Sequence, residues 1–175
     1  MNTATAISEA SRLQFAELLD QHRRMVFKVA NTYARASDRE DLAQEIAAQL
    51  WRAFPDYDSA RPFSTWLYRI ALNVGISHLR RFAARESRTV PLELGLHETA
   101  DPLAHEQDAD EAPRLLAEFI AQLDALNRAL LLLYLDDRGY REIADILGIS
   151  ETNVSTKINR LKERVRRFGE TRGTR

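Results

Sequence analysis

Apolar side chains recur along this chain at intervals of three and four, the period of helices that bury one face. The first such run holds Phe15, Leu18, Leu19, Met25, Val26, Val29, Ala30 and Tyr33. It follows Ser11 and Gln14, a capping-box pattern that predicts a helix start; one long helix or two shorter ones fit the run equally. Ser37 and Glu40 repeat that pattern ahead of Ala43, Ile46, Ala47, Leu50 and Phe54, and P-D-Y-D-S-A-R-P then breaks the periodicity. Pro62 suits a first helical position, and Phe63, Trp66, Leu67, Ile70, Ala71 and Val74 form the buried stripe of the next segment. From Pro91 to Ala112 the pattern fades. Pro113 reopens it with Leu115, Leu116, Phe119, Ile120, Leu123 and Leu126, and A-L-L-L-L-Y-L supplies a central helix that Gly139 can end. The short segment Y-R-E-I-A-D-I-L, the turn Gly148-Ile149-Ser150 and a longer helix carrying Val154, Ile158, Leu161, Val165 and Phe168 complete the series. Ser150 is placed as the N-cap of that last helix and Gly169 as its stop.

The expected fold class is therefore all-α, with two small helical domains over residues 11–88 and 113–169 joined by an acidic flexible linker over 89–112. The second domain reads as a helix-turn-helix: two helices across a three-residue turn, Ala144 and Gly148 small where they would approach closely, and Val154 packing back. A length of 175 residues with 45% hydrophobic content suffices for packed cores.

A net charge of −1 argues at first against a nucleic-acid partner, but the average hides a partition. Residues 1–90 hold 13 basic and 10 acidic side chains, residues 91–118 hold one and eight, and residues 119–175 hold 11 and eight. An acidic middle masks two mildly basic ends, and local charge decides what is met at close range. The absence of cysteine excludes thiol catalysis and cysteine-ligated zinc and suits a reducing compartment. The N-terminus lacks the blocks of a signal peptide, and no run of about 18 apolar residues is present; a cytoplasmic protein is expected.

Candidate chemistry is concentrated on three helices. Opposite the apolar face of the Pro62 segment, Thr65, Arg69, Asn73, Ser77 and Arg80 form a polar stripe ending in Arg80-Arg81, and residues 61–88 carry six arginines against Glu86 alone. That is an anion-facing surface. On the last helix, Thr152, Asn153, Ser155, Thr156, Asn159 and Arg160 lie opposite the apolar seam, where base edges would be met. Lys157, Lys162, Arg164, Arg166 and Arg167 are candidate phosphate partners along the same helix. Asp41, Gln44 and Glu45 sit near the positive end of a helix dipole, which by itself accounts for the two acids. His22 reads as a packed histidine, and His97 and His105 stand among linker carboxylates, a weak pointer to metal. No phosphate-cradling glycine loop, H-E-x-x-H or nucleophile elbow is present, so an enzyme, a cofactor and a small-molecule substrate are not expected.

Three motifs in order resemble a bacterial RNA polymerase sigma factor of the extracytoplasmic-function group: D-L-A-Q-E-I, then F-S-T-W-L-Y-R-I-A-L-N-V with basic residues after it, then E-I-A-D-I-L-G-I-S-E-T-N-V with K-I-N-R-L-K. The likeness covers residues 11–88 and about 115–168. It implies a subunit that binds core RNA polymerase through the clamp coiled coil of the largest subunit and through the flap, that reads promoter DNA, and that an anti-sigma factor restrains. Under it, Asp41, Gln44 and Glu45 dock on the clamp. Arg61, Ser64, Thr65, Arg69, Asn73, Arg80 and Arg81 serve the minus 10 element, with Asn73 and the loop from Ser59 to Ser64 matching the pocket for a flipped base. Thr152, Asn153, Ser155, Thr156, Lys157, Asn159 and Arg160 serve the minus 35 element. The sequence departs from the family twice: Y-D-S-A-R-P stands where a glycine is frequent, and Leu123 is followed by Asp124 where Leu-Pro is common. A polymerase-independent helix-turn-helix regulator is the alternative, and it leaves the first domain without a purpose.

Overall fold

The structure is a computed structural model that describes residues 9–89 and 111–172. Its helices are α1 (Glu9–Gln21), α2 (Arg23–Tyr33), α3 (Arg39–Ala53), α4 (Phe63–Thr89), α5 (Glu111–Ala121), α6 (Ala125–Leu135), α7 (Tyr140–Leu147) and α8 (Glu151–Arg172), with single 3-10 turns at Ala36–Asp38 and Phe54–Asp56. The all-α expectation holds, with α1–α4 and α5–α8 as two helical units. Most of the linker, with His97 and His105, lies outside the described residues.

The first unit is built on α2, α3 and α4, each packed on the other two. Val29, Ala30, Leu42, Ile46, Leu50, Leu67, Tyr68, Ala71 and Leu72 are its most buried side chains. Trp66, Ile70 and Val74, expected on the buried stripe of α4, are only partly covered, whereas Tyr68 and Leu72 are fully covered. The helix is thus turned so that its core face includes positions that the spacing alone left outside. Gly75 explains how closely α2 and α4 approach: a Cβ built there would stand 2.8 Å from Tyr33 Cδ2 and 2.9 Å from Tyr33 Cγ. An aromatic group at one end fixes the segment before α4. Phe54 stacks on Tyr57 at 5.9 Å, Tyr57 meets Trp66 at 5.0 Å and Phe63 at 5.4 Å, and Phe15 packs on both Trp51 and Phe54 at 5.1 Å.

Several helix ends differ from the expected ones. The first run is two helices, one of the two arrangements its spacing allowed, broken at His22, whose Nδ1 bonds the Leu18 carbonyl at 2.8 Å. Glu9 and Ala10 are already helical, so Ser11 is interior rather than a cap. Ser37 lies in a 3-10 turn and donates to Asp38 Oδ1 at 2.9 Å, leaving α3 without a side-chain cap. Pro62 precedes α4 and its carbonyl receives the Thr65 and Trp66 N–H groups. α5 starts two residues before Pro113, which a first turn tolerates because its N–H would be unpaired there anyway. Gly139 is the N-cap of α7 and not the end of α6, which stops at Leu135, and α8 runs through Gly169 to Arg172.

In the second unit Phe119, Leu123, Leu130, Leu133, Ile143, Val154, Ile158 and Leu161 are buried. The helix-turn-helix is α7 and α8. Gly148 caps α7 with φ +66°, and no atom lies within 4 Å of a Cβ built there, so the glycine answers a left-handed backbone rather than a close approach. Ser150 is the N-cap of α8 as expected, its Oγ accepting the Asn153 N–H at 3.2 Å.

The two units also meet directly: α4 packs against α6 and α7, and their buried residues form one continuous apolar cluster. Substituting Gly75→Ala should force α2 and α4 apart and lower stability by about 1–3 kcal/mol, the usual cost of overpacking; a shift of the urea midpoint at unchanged slope would measure it.

Candidate functional site

Each group of site residues expected from the sequence occupies its own surface. Asp41 and Gln44 are exposed at the start of α3, and Glu45 is partly covered beside them. Next to them runs an apolar groove lined by Leu19, Val26, Phe27, Ala43, Gln44 and Ala47. Three acids, Glu40, Asp41 and Glu45, stand in the first two turns of a helix, where the backbone dipole favours them.

On α4, Arg69, Asn73 and Arg80 are exposed on one line. Arg61 ends a loop that Asp58 organises: Asp58 Oδ1 accepts the Ala60 N–H at 2.9 Å, the Asp58 carbonyl accepts the Arg61 N–H at 3.0 Å, and the Tyr57 hydroxyl donates to the Arg61 carbonyl at 2.8 Å. With Pro62 at its end the loop is held in shape by bonds of its own, consistent with a stiffer loop than one with a glycine would be. Arg81, exposed on the same helix, already has a partner. Its guanidinium pairs with both carboxylate oxygens of Glu45, at 2.8 and 3.0 Å, and so joins a minus 10 candidate to a clamp candidate.

Ser64 and Thr65 also have partners already, and these come from the second unit. Ser64 Oγ accepts from Arg138 Nη1 at 3.1 Å, and Thr65 Oγ1 donates to Glu142 Oε1 at 2.8 Å. Nearby, the Tyr68 hydroxyl donates to Asp136 Oδ2 at 2.8 Å and Lys28 pairs with Asp136 Oδ1. Burial acts to raise the Asp136 carboxyl, but the hydrogen bonds from Lys28 and Tyr68 and the charges of Lys28 and Arg138 outweigh it and hold the group below the usual carboxylate range. Burial first, and the Asp136 bond second, push the Tyr68 hydroxyl up.

On α8, Thr152, Asn153, Thr156, Asn159 and Arg160 are exposed, with Ser155 and Lys157 partly covered. Lys157, Arg160 and Arg164 line a small cleft with Asn127 of α6. The more distal arginines are engaged within the helix: Arg166 and Arg167 pair with Glu163 at 2.9 and 3.1 Å, and Arg166 reaches Glu170 at 3.7 Å. Lys162 lies over the Tyr134 ring at 4.6 Å. The basic character open to a ligand is thus strongest in the first half of the helix, on the side of the short polar residues.

The sequence pattern did not single out Asp136, Arg138, Glu142, Lys28 or Arg128. Arg128 could have been noticed, because it is a lone charge inside the apolar run of α6. It is buried, and its guanidinium donates to the Ala121, Leu123 and Thr32 carbonyls at 2.6, 2.9 and 3.2 Å. Among the described residues no group of three or more acids and histidines could hold a metal ion, and no helix is long and apolar enough to cross a membrane.

Comparison with known proteins assigns a family region to each helical unit. The sigma-70 region 2 model matches residues 18–86 and the sigma-70 region 4 model matches residues 114–165. The ECF RNA polymerase sigma factor SigW of Bacillus subtilis is 28% identical over 163 residues, covering 87% of each chain. SigE of Mycolicibacterium smegmatis is 28% identical and covers 95% of this chain and 67% of its own. Among solved structures, CnrH in complex with the cytosolic domain of CnrY aligns with a TM-score of 0.66 at 23% identity, over 92% of this chain and 90% of that one. The sigma factor RpoE in complex with the anti-sigma factor NepR from Bartonella quintana aligns with a TM-score of 0.72 at 18% identity, over 91% and 98%. At these identities the two structures show a shared fold. A region 2 followed by a region 4, one to each helical unit, defines a class of transcription initiation factor. This chain belongs to the sigma-70 family of RNA polymerase sigma factors, in its extracytoplasmic-function group.

The Glu45–Arg81 pair is half exposed, with side chains 36% and 54% accessible. A double-mutant cycle with Glu45→Gln and Arg81→Gln should give a coupling of only about 0.2–1 kcal/mol in chemical unfolding. Any larger loss of activity in either variant would then reflect contacts to a partner rather than a damaged fold.

Proposed function

We propose that the chain is the promoter-specificity subunit of a bacterial RNA polymerase: it binds the core enzyme, directs it to promoters with a minus 10 and a minus 35 element, and helps to open the former. The observation that carries this reading is the paired match, region 2 on α1–α4 and region 4 on α5–α8, in one chain. In this reading the functional domains run over 11–88 and 113–169, and residues 89–112 tether them.

The assignment of residues follows from their chemistry and exposure. Asp41, Gln44 and Glu45 dock on the clamp coiled coil of the largest subunit, with the adjoining groove of α1–α3 contributing apolar area. Asn73, exposed on α4, can donate to and accept from the edge of an unpaired base, and the ordered Ser59–Ser64 loop borders that site with Arg61. Extruding a base costs a few kcal/mol of stacking and pairing, which hydrogen bonds to the freed edge and phosphate contacts from Arg69 and Arg80 offset. On α8, Thr152, Asn153, Ser155, Thr156 and Asn159 face the major groove of the minus 35 element, while Lys157 and Arg160 meet its phosphates or guanines. The protein performs no catalysis of its own, works in the cytoplasm beside the polymerase, and needs no cofactor. An anti-sigma factor is its regulator, a reading supported by the likeness to RpoE, which was solved with one.

Transcription in vitro with core polymerase over a promoter library tests the reading. Start sites that share two elements and appear only when the protein is added are the expected result; specific operator binding by the free protein, with no core-dependent transcription, would overturn it. Asn73→Ala should weaken use of the preferred minus 10 base by about 1–3 kcal/mol. Arg80→Ala should instead lower the salt slope of promoter binding by about one unit with little change of sequence preference.

A further inference from the structure

Tyr57 ties the loop before α4 to the core of the first unit. Its ring lies 5.9 Å from that of Phe54, 5.4 Å from Phe63 and 5.0 Å from Trp66, so it touches one residue before the loop and two after it. Phe54 and Phe63 are buried, and Phe63 also meets the His22 ring at 5.0 Å. The Tyr57 N–H donates to the Phe54 carbonyl at 3.0 Å, and the hydroxyl at the other end of the residue donates to the Arg61 carbonyl at 2.8 Å. Residues 58–62 are all exposed. The bonds from Ala60 N–H to Asp58 Oδ1 and from Arg61 N–H to the Asp58 carbonyl begin and end inside the loop. Such bonds give the loop a shape but do not orient it on the helices. The Tyr57 hydroxyl does, because it carries the order of a packed aromatic group out to the backbone of Arg61.

We propose that Tyr57 is a positioning residue for the minus 10 base: its hydroxyl holds the Ser59–Ser64 loop in the shape that accepts the base, and so sets how sharply the holoenzyme discriminates at that position. The proposal rests on the reading of this loop and Asn73 as the base pocket. A loop that samples several shapes must be ordered when a base enters, and it can adapt to the wrong one. A loop ordered beforehand avoids that cost and leaves a wrong base with unmatched polar groups. Pro62 restrains the loop at its end by fixing its own backbone, and its carbonyl is held by the Thr65 and Trp66 N–H groups of α4. The Tyr57 hydroxyl restrains the residue just before it. Arg61 is the cation of the loop, so the same bond fixes the backbone from which its guanidinium meets the strand. The two duties of Tyr57 are separable: the ring serves the core, and a single oxygen atom serves the loop.

The test uses the full chain reconstituted with core polymerase. Affinity is measured by competition on fork-junction DNA whose unpaired minus 10 strand carries each of the four bases in turn at every position of the element. The position read by the loop is the one whose preference Asn73→Ala weakens. There the unaltered protein should favour one base by about 5- to 100-fold, the range of a good base contact. Tyr57→Phe keeps the ring and removes only the hydroxyl. It should cut that ratio by about 2- to 10-fold, the loss of one ordinary hydrogen bond, and leave the ratios at other positions and the affinity for core unchanged. Asp58→Ala, which removes the acceptor of the Ala60 N–H, should act in the same direction. An unchanged ratio in Tyr57→Phe overturns the proposal, and so does an equal loss at every position, since a damaged fold would give that too. Core-dependent transcription in which Asn73→Ala weakens no preference overturns the pocket, and the proposal with it, while the promoter reading stands. Absence of any core-dependent transcription overturns the promoter reading itself.

Discussion

Tyr33 is held at both ends, and the architecture depends on that. Its ring lies against the bare backbone of Gly75, which lets α2 and α4 come closer than any side chain would permit. Its hydroxyl, pushed up by burial, finds the Ala125 carbonyl at the start of α6. A buried hydroxyl without a partner would cost on the order of 1–3 kcal/mol, so the second unit completes a requirement set inside the first. Arg128 repeats the arrangement in reverse. Its guanidinium is buried within reach of the Asp124 charge, and three carbonyls, one of them from the first unit, share its donors.

Where the sequence was legible, one property decided the matter: a side chain's place in a helical period. Val154, Ile158 and Leu161 were identifiable as core, Ser150 as a cap, and α7–α8 as a helix-turn-helix, because each follows from local spacing. The exposed stripe Arg69, Asn73 and Arg80 was legible for the same reason. The misread positions depend on partners distant in sequence. Tyr68 was not placed on the core face of α4 by its spacing, yet it is fully covered and its hydroxyl finds an acceptor in Asp136. Gly75 carried no signal at all without Tyr33, and Gly148 suggested close packing where the backbone simply turned left-handed. The contact between Arg81 and Glu45 was not legible, because nothing in a linear reading brings residues 36 positions apart into an ion pair. The ends of helices were the least legible local feature, since Ser37 and Ser11 satisfy a capping pattern in the sequence that the backbone does not use.

The family likeness adds roles to a frame that physical reasoning had already drawn. Basic stripes on α4 and α8 are anion-facing whatever the protein is called. The distal arginines of α8 are neutralised by Glu163 and Glu170, which leaves Lys157, Arg160 and Arg164 as the cations beside the short polar residues. The half of α8 that carries the short polar residues is thereby separated electrostatically from the distal half, where Phe168 packs on Phe119 at 5.5 Å. Val154, Ile158 and Leu161 hold the other face of that first half in the core, which makes its exposed side rigid.

The Glu45–Arg81 pair gives the first unit a property that neither residue has alone. Because one carboxylate neutralises one guanidinium, the acidic face of α3 and the basic face of α4 cannot be charged independently. A ligand that draws Glu45 into its own contacts unmasks a cation on the neighbouring helix, and a phosphate that captures Arg81 returns a free carboxylate to α3. Linkage makes these effects equal in both directions, and the exposure of the pair keeps the coupling small, about 1 kcal/mol or less. The two faces are therefore weakly coupled through a single exposed ion pair.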